Sequence, residues 1–134
     1  MQKRHIYIFG DYDGFEFHRH LGKKFDVCSA CDIIYFPYNF NLHWVLFIID
    51  RRKNVVYLNN SMKNYSASAL KEIIRRLLLF VVEYKLMTLG VEFQEVAVPQ
   101  QEDGFDCGVF TINFLRKALL RPEVNYPDSF IFLD

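Results

Sequence analysis

The feature that most constrains the fold is one long amphipathic helix with β-rich runs on both sides of it. Its apolar residues recur at helical spacing, and they are Leu70, Ile73, Ile74, Leu77, Leu78, Val81 and Val82. Ser66 or Ser68 can cap the start of this helix, and Gly90 can end it. A long helix set among β-rich runs predicts an α+β domain.

Short β-rich runs are predicted as strands over 5–9, 32–36, 44–50, 55–58 and 91–98. The third and fourth runs flank a polar turn and are predicted to pair as an antiparallel hairpin, whereas Pro37 is expected to end the second run. A second helix is predicted from Cys107 to Leu120. Residues 1–134 are therefore predicted to form a single α+β domain, with a central antiparallel or mixed sheet flanked by helices.

Composition narrows the class of protein. Sixteen basic residues balance sixteen acidic ones, which argues against a nucleic-acid-binding protein. No apolar run reaches the roughly 18 residues that a membrane span needs, and the N-terminus shows no secretory signal. The three cysteines are Cys28, Cys31 and Cys107, and an odd number argues against a disulfide framework. We expect an intracellular, reducing compartment.

Cys107 is the candidate nucleophile because it starts a predicted helix. The backbone N–H groups at a helix N-terminus favour a thiolate over a thiol. Gly104 and Gly108 on either side of it allow the backbone to approach a substrate closely. A cysteine nucleophile needs a base, and His43, at the start of the strand run 44–50, is the candidate.

Polar residues at the ends of the neighbouring strands can complete such a site. Asn59 and Asn60 end the strand that pairs with the one beginning at His43, and an Asn amide can orient an imidazole. Gln101, six residues before Cys107, can donate to an oxyanion, with Gln100 as the competing candidate.

Three segments then resemble a known family. They are His43-Trp44-Val45-Leu46, Tyr57-Leu58-Asn59-Asn60-Ser61-Met62 and Val98-Pro99-Gln100-Gln101-Glu102-Asp103-Gly104-Phe105-Asp106-Cys107-Gly108-Val109-Phe110. Together they resemble the SUMO-protease family, the ubiquitin-like-protein-specific cysteine proteases of the papain-like superfamily. The resemblance covers about residues 32–120, and its last segment is the specific one.

The resemblance implies a papain-like fold and a role for each matching residue. His43 is then the general base, Cys107 the nucleophile at a helix N-terminus, and Gln101 the oxyanion donor. Trp44 covers a narrow tunnel for the Gly-Gly end of the substrate, and Gln100, Gly104 and Gly108 are further substrate-binding residues.

Two departures from the family accompany this resemblance. The family's usual Asp falls at Asn60, so we expect reduced but not abolished activity. We also expect an N-terminal part that is reduced relative to the family, because 42 residues precede His43, and Trp44 is the only tryptophan in this sequence, so the family's N-terminal tryptophan has no counterpart in it.

The resemblance implies a cysteine-type isopeptidase or C-terminal hydrolase that cleaves after the Gly-Gly end of a ubiquitin-like modifier, with SUMO as the first candidate. The resemblance implies no cofactor or metal, and neither nucleic acid nor a membrane is expected as a binding partner. The chain is expected as a monomer or with a partner chain that completes the cleft, and its location as nuclear or, alternatively, cytoplasmic. The alternatives are a protease for NEDD8 or ubiquitin, an effector acetyltransferase on the same fold, and a catalytically weak pseudo-protease that binds a modifier or another protein.

A zinc site is a weaker hypothesis for the same chain. His18, His20, Cys28 and Cys31 offer four nitrogen and sulfur ligands, but their spacing is not a specific one and the resemblance requires no zinc.

Overall fold

A computed structural model describes residues 5–7, 10–11, 30–65, 67–102 and 106–120, and these ranges contain six strands and two helices. The strands are β1 His5–Tyr7, β2 Gly10–Asp11, β3 Ile33–Phe40, β4 His43–Asp50, β5 Val55–Asn59 and β6 Glu92–Glu95, and the helices are α1 Ala67–Glu83 and α2 Cys107–Leu120. Both predicted helices are present. Neither helix in the described part of the chain has the length and apolar character needed to cross a membrane.

The strands form one mixed sheet. Its order is β1-β3-β4-β5-β6, and β2 also pairs with β3. The central strand β4 is antiparallel to both of its neighbours, β3 and β5, which confirms the predicted hairpin of β4 and β5. The outer strands are parallel to their neighbours, since β1 and β2 run with β3 and β6 runs with β5. Helix α1 is the connection that carries the chain from β5 to β6.

Within the described residues, α1 packs on one face of the sheet and α2 on the other. Side chains alternate between faces along a strand, so the even-numbered residues of β3 and the odd-numbered residues of β4 share one face. That face packs against Leu70, Ile73, Leu77 and other residues of α1. The opposite face carries Ile33, Tyr35, Leu46, Ile48 and Tyr57 and packs against Phe114 of α2. Burial on both faces explains why the central strands are almost continuously apolar.

Two strand boundaries differ from the sequence prediction. Pro37 does not end β3, which continues to Phe40. The pairing of β3 with β4 runs without a break from Ile33 to Phe40, and Pro37 lies within it opposite Leu46. The predicted strand 91–98 is shorter, because only Glu92–Glu95 pair with β5.

The end of α1 also differs, since the helix stops at Glu83 and not at Gly90. Lys85 adopts a left-handed backbone with φ 59°. The amide of Leu86 donates to the carbonyl of Val81, and the amide of Lys85 donates to that of Val82, at 2.9 and 3.0 Å. This is a Schellman motif, and buried Leu86 packs into the core beside Val81. The signal was missed because lysine occupies the position that glycine usually marks.

Replacing Lys85 with glycine should stabilise the protein. A left-handed residue with a Cβ costs about 1–2 kcal/mol, and the extra freedom of glycine in the unfolded chain offsets about 0.5–1 kcal/mol. We expect Lys85→Gly to raise the midpoint of thermal unfolding by about 2–3 °C. Lys85→Ala is the control, since it removes the same charge and keeps the Cβ. An equal gain from alanine would show that the backbone conformation is not the cause.

Candidate active site

A tight hairpin delivers His43 to the end of the sheet. Asn41 and Leu42 join β3 to β4 with φ values of 48° and 62°, which suit a two-residue turn, and Phe40 pairs directly with His43. The imidazole is 1% exposed and lies edge-on between two aromatic rings, with ring centroids 5.6 Å away for Phe40 and 5.2 Å for Tyr65. The hydroxyl of Tyr65 donates to the carbonyl of Asn41, which ties this ring to the turn. The packing fixes the plane of the imidazole.

Asn60 is the hydrogen-bond partner of His43. Its Oδ1 lies 2.7 Å from Nε2 of the imidazole, and the same Oδ1 accepts the backbone amide of Met62 at 3.0 Å. Because a backbone N–H needs an acceptor, the Met62 bond orients the Asn60 amide with its oxygen toward His43. Nε2 must then carry the proton, and Nδ1 is the basic nitrogen of the neutral ring. Among the described residues, Nδ1 has no hydrogen-bond partner.

The two other carboxamide or carboxylate candidates lie elsewhere. Asn59 is on the opposite face of the sheet from His43, and its Nδ2 lies 3.5 Å from the carbonyl of Leu46. Asp50 is at the far end of β4, where its carboxylate accepts the backbone amide of Arg52 at 3.1 Å and forms an ion pair with the Arg52 guanidinium at 2.9 Å. The structure therefore selects Asn60 from the residues that the sequence offered.

Cys107 opens α2 directly beside the start of β4. Its thiol is 4% exposed, and Sγ lies 3.9 Å from the carbonyl oxygen of Leu42, the residue before His43. A methyl group placed on Gly108 would lie 3.6 Å from Cδ1 of Trp44. These two contacts place the first turn of α2 next to the first residues of β4. The thiol of Cys107 and the imidazole of His43 therefore lie at the same end of the sheet.

Gln101 is brought to the same place by the segment that follows β6. Its backbone amide donates to the carbonyl of Ser61 at 2.9 Å, and its Oε1 accepts the hydroxyl of Ser61. Gln100, the competing oxyanion donor, uses both ends of its side chain on backbone: Nε2 donates to the carbonyl of Asn60 at 2.9 Å, and Oε1 accepts the amide of Lys63 at 3.0 Å. The role of Gln101 as the oxyanion donor stays a prediction. The role of Gln100 in binding substrate stays a prediction.

Some predicted residues fall outside this description. Gly104 lies outside the described residues, and so do Ser66 and, from the zinc hypothesis, His18, His20 and Cys28. Cys31 is described, and it is a buried free thiol. Within the described ranges no three His, Cys, Asp or Glu side chains gather as a metal site.

The electrostatics favour an uncharged imidazole. Burial lowers the pKa of His43 below its usual 6.5, and the hydrogen bond with Asn60 raises the pKa by a smaller amount. An amide partner holds the tautomer but gives the imidazolium less stabilisation than a carboxylate gives. Near neutral pH this arrangement supplies a neutral base whose acceptor is Nδ1.

Comparison with known families now identifies the domain. The family described as "Ulp1 protease family, C-terminal catalytic domain" matches residues 2–129. The chain belongs to the Ulp1 protease family. This membership confirms the predicted cysteine protease family and the α+β, papain-like fold class.

Relatives of the Ulp1 family agree with this assignment. The chain is 32% identical over 116 residues to ubiquitin-like-specific protease 1 of Saccharomyces cerevisiae, which covers 83% of this chain and 19% of the yeast protein. It is 29% identical over 90 residues to ubiquitin-like-specific protease 1A of Arabidopsis thaliana, covering 63% of this chain and 18% of the plant protein. The chain thus spans about a fifth of the length of these two relatives.

Solved structures show the same fold. The C-terminal Ulp1 protease domain in complex with SMT3, the yeast ortholog of SUMO, superposes with a TM-score of 0.63 at 27% identity, over 84% of this chain and 53% of that one. The ASFV pS273R protease shares the fold at 16% identity, with a TM-score of 0.59 over 94% of this chain and 54% of that one. The chain therefore spans about half the length of these protease chains.

Sequence reasoning missed two residues at this Ulp1-type site. Tyr65 packs on the imidazole, but nothing in its local pattern distinguishes it from a surface tyrosine. Ser61 holds Gln101, and its place beside Asn60 in the segment that resembles the family was the available signal.

Titration of His43 tests the tautomer and charge assignment. We expect an NMR pKa below 6.5, so that more than half of the ring is neutral at pH 6.5 and it charges only as the pH falls through the lowered pKa. Asn60→Asp should raise this pKa by about one unit or more, because a carboxylate stabilises the imidazolium. The same variant should raise kcat/KM by about tenfold, equivalent to about 1.4 kcal/mol.

Asn64→Asp is the matched control, since it makes the same change at an exposed neighbouring position. It should leave the pKa of His43 within about 0.2 units, because exposed charges are screened by water and salt. Equal shifts from both variants would contradict a specific role for Asn60.

Proposed function

We propose that this chain is a cysteine isopeptidase or C-terminal hydrolase that cleaves after the Gly-Gly end of a ubiquitin-like modifier. The observation that carries the proposal is the joint placement of a buried imidazole, held by Asn60 through Nε2, and a helix-capping thiol against the residue before that imidazole. A base with an acceptor nitrogen and a nucleophile at a helix N-terminus are the two parts that thiol acyl transfer requires.

The proposed reaction uses the chain's own residues and needs no cofactor. Nδ1 of His43 takes the proton of Cys107, and the thiolate attacks the carbonyl carbon of the terminal glycine. The side-chain amide of Gln101 and the backbone N–H of Cys107 donate to the oxyanion. The intermediate expels the amine, which leaves with the proton from the imidazolium. Water, deprotonated by His43, then hydrolyses the thioester and releases the modifier's carboxylate.

SUMO is the modifier we propose first. Support comes from the 27% identity with a Ulp1 domain whose partner in that structure is SMT3, the yeast ortholog of SUMO. Trp44 lies half-buried beside Gly108 at the start of α2, where a flat ring can line a slot that only glycine fits. NEDD8 and ubiquitin end in the same Gly-Gly and are the alternative substrates. Action inside the cell, in the nucleus first, stays a prediction.

The test is covalent capture by SUMO, NEDD8 and ubiquitin probes that carry a C-terminal vinyl sulfone. We expect an adduct with the SUMO probe that is lost in Cys107→Ala and slowed by about 100-fold or more in His43→Ala. Cys31→Ala is the matched control, because it removes the other described free thiol, and it should be captured at the normal rate.

Other outcomes would contradict the proposal in distinct ways. Capture by only the NEDD8 or ubiquitin probe would change the substrate but keep the reaction. Reversible SUMO binding by the unaltered chain and by Cys107→Ala alike, with no adduct, would identify a binding module, as the uncharged Asn60 would permit. Transfer of an acetyl group from acetyl-CoA to lysine, with no reaction toward any of the three probes, would identify an acetyltransferase.

A further inference from the structure

We infer that Ser61 is a positioning residue that turns the donor end of the Gln101 amide toward the oxyanion. This inference rests on the proposed function, since it assigns a role within that reaction. It follows from the hydrogen bonds that join the segment after β5 to the segment after β6.

Ser61 holds Gln101 by two different groups. Its carbonyl accepts the backbone amide of Gln101 at 2.9 Å, and its hydroxyl donates to Oε1 of the same residue. Ser61 is 1% exposed, so water does not compete effectively for this hydroxyl. One bond fixes where the Gln101 backbone lies, and the other fixes how its side chain is turned.

Neighbouring bonds hold the surrounding backbone without Ser61. The side chain of Gln100 spans from the carbonyl of Asn60 at 2.9 Å to the amide of Lys63 at 3.0 Å. These bonds do not involve the side chain of Gln101, whereas the Ser61 hydroxyl donates to its Oε1. Loss of this hydroxyl should therefore disturb the orientation of one amide, while the path of the chain is kept.

The hydroxyl matters because a carboxamide has two unlike ends. Nε2 donates and would stabilise an oxyanion, whereas Oε1 accepts and would repel it. Rotating the amide by half a turn exchanges the two ends with little change in shape. In the structure the Ser61 hydroxyl donates to Oε1, and holding the amide in this orientation before substrate arrives is the preorganisation that makes an oxyanion donor effective.

Successive residues at the end of β5 thus serve the two halves of the site. Asn60 orients the imidazole by accepting from Nε2, and Ser61 orients the oxyanion donor by donating to Oε1. The two residues directly after β5 therefore serve both the base and the oxyanion donor.

The test compares turnover of a SUMO C-terminal coumarin amide by the chain and its variants. We expect Ser61→Ala to lower kcat by about tenfold with KM within twofold, against about 10²–10³-fold for Gln101→Ala. In a Gln101→Ala background, Ser61→Ala should cost nothing further, because the group it positions is gone. Ser68→Ala, at an exposed serine, should match the unaltered chain. Additive losses in the double variant would overturn the inference.

Alkylation separates positioning from general damage. Iodoacetamide reacts with Cys107 by displacement at a saturated carbon, so it forms no oxyanion but still needs the thiol and its base. Ser61→Ala should be alkylated at the normal rate while its amide hydrolysis falls. Equal losses in both reactions would mean that Ser61 supports the whole site and would overturn the positioning role.

A measurement on the unaltered chain decides the matter even if Ser61→Ala does not fold. The side-chain amide of Gln101 should be held, with an NMR order parameter approaching the value of about 0.85 found for rigid backbone. A value below about 0.6 would overturn the inference. Absence of turnover by the unaltered chain would instead count against the proposed function, and the order parameter would still report on Ser61 and Gln101.

Discussion

The antiparallel pairing of β4 with β5 is the constraint on which the rest of the site depends. It sets the start of β4 beside the end of β5, so His43 meets Asn60 although 17 positions separate them. Helix α1 then returns the chain so that β6 runs parallel to β5, and both strands finish at the same end of the sheet. The segment after β6 delivers Gln101 there, and α2 starts there with Cys107. The order and direction of the strands therefore bring these four residues, which are distant in sequence, to one end of the sheet.

The charge balance of the site follows from burial and from the choice of an amide. A fully buried imidazole resists protonation, and Asn60 offers it a hydrogen bond without a counter-charge. The Asn60 amide also leaves its Nδ2 without a hydrogen-bond partner in the described part of the chain. An imidazolium formed during the reaction would therefore donate a hydrogen bond to Oδ1 of Asn60 but would meet no counter-charge there, which is the physical consequence of an amide at this position.

Sequence reasoning reached the parts of the structure that leave a local signal. The helical stripe predicted α1, and the helix start predicted the setting of Cys107. It failed where tertiary context overrides local preference. Lys85 takes a left-handed conformation at the end of α1, where the next residue, Leu86, is buried in the core, and β3 continues through Pro37 because its pairing with β4 runs from Ile33 to Phe40. The choice of Asn60 over Asn59 needed the face of the sheet, which depends on strand register.

That register is what remains to be explained, because both faces of β4 and β5 are buried and apolar. A slip of one residue would exchange two hydrophobic faces, so burial alone discriminates weakly between registers. The turn between the strands discriminates strongly. Asp50 is fully buried, its carboxylate accepts the backbone amides of Arg52 and Lys53, and Asn54 closes the turn with φ 57°. A slipped register would leave that carboxylate buried without these donors, which is a large penalty. Asp50 does not bond to His43. By fixing the register of β4 and β5 from the far end of β4, it determines that Asn60, and not Asn59, is the partner of His43.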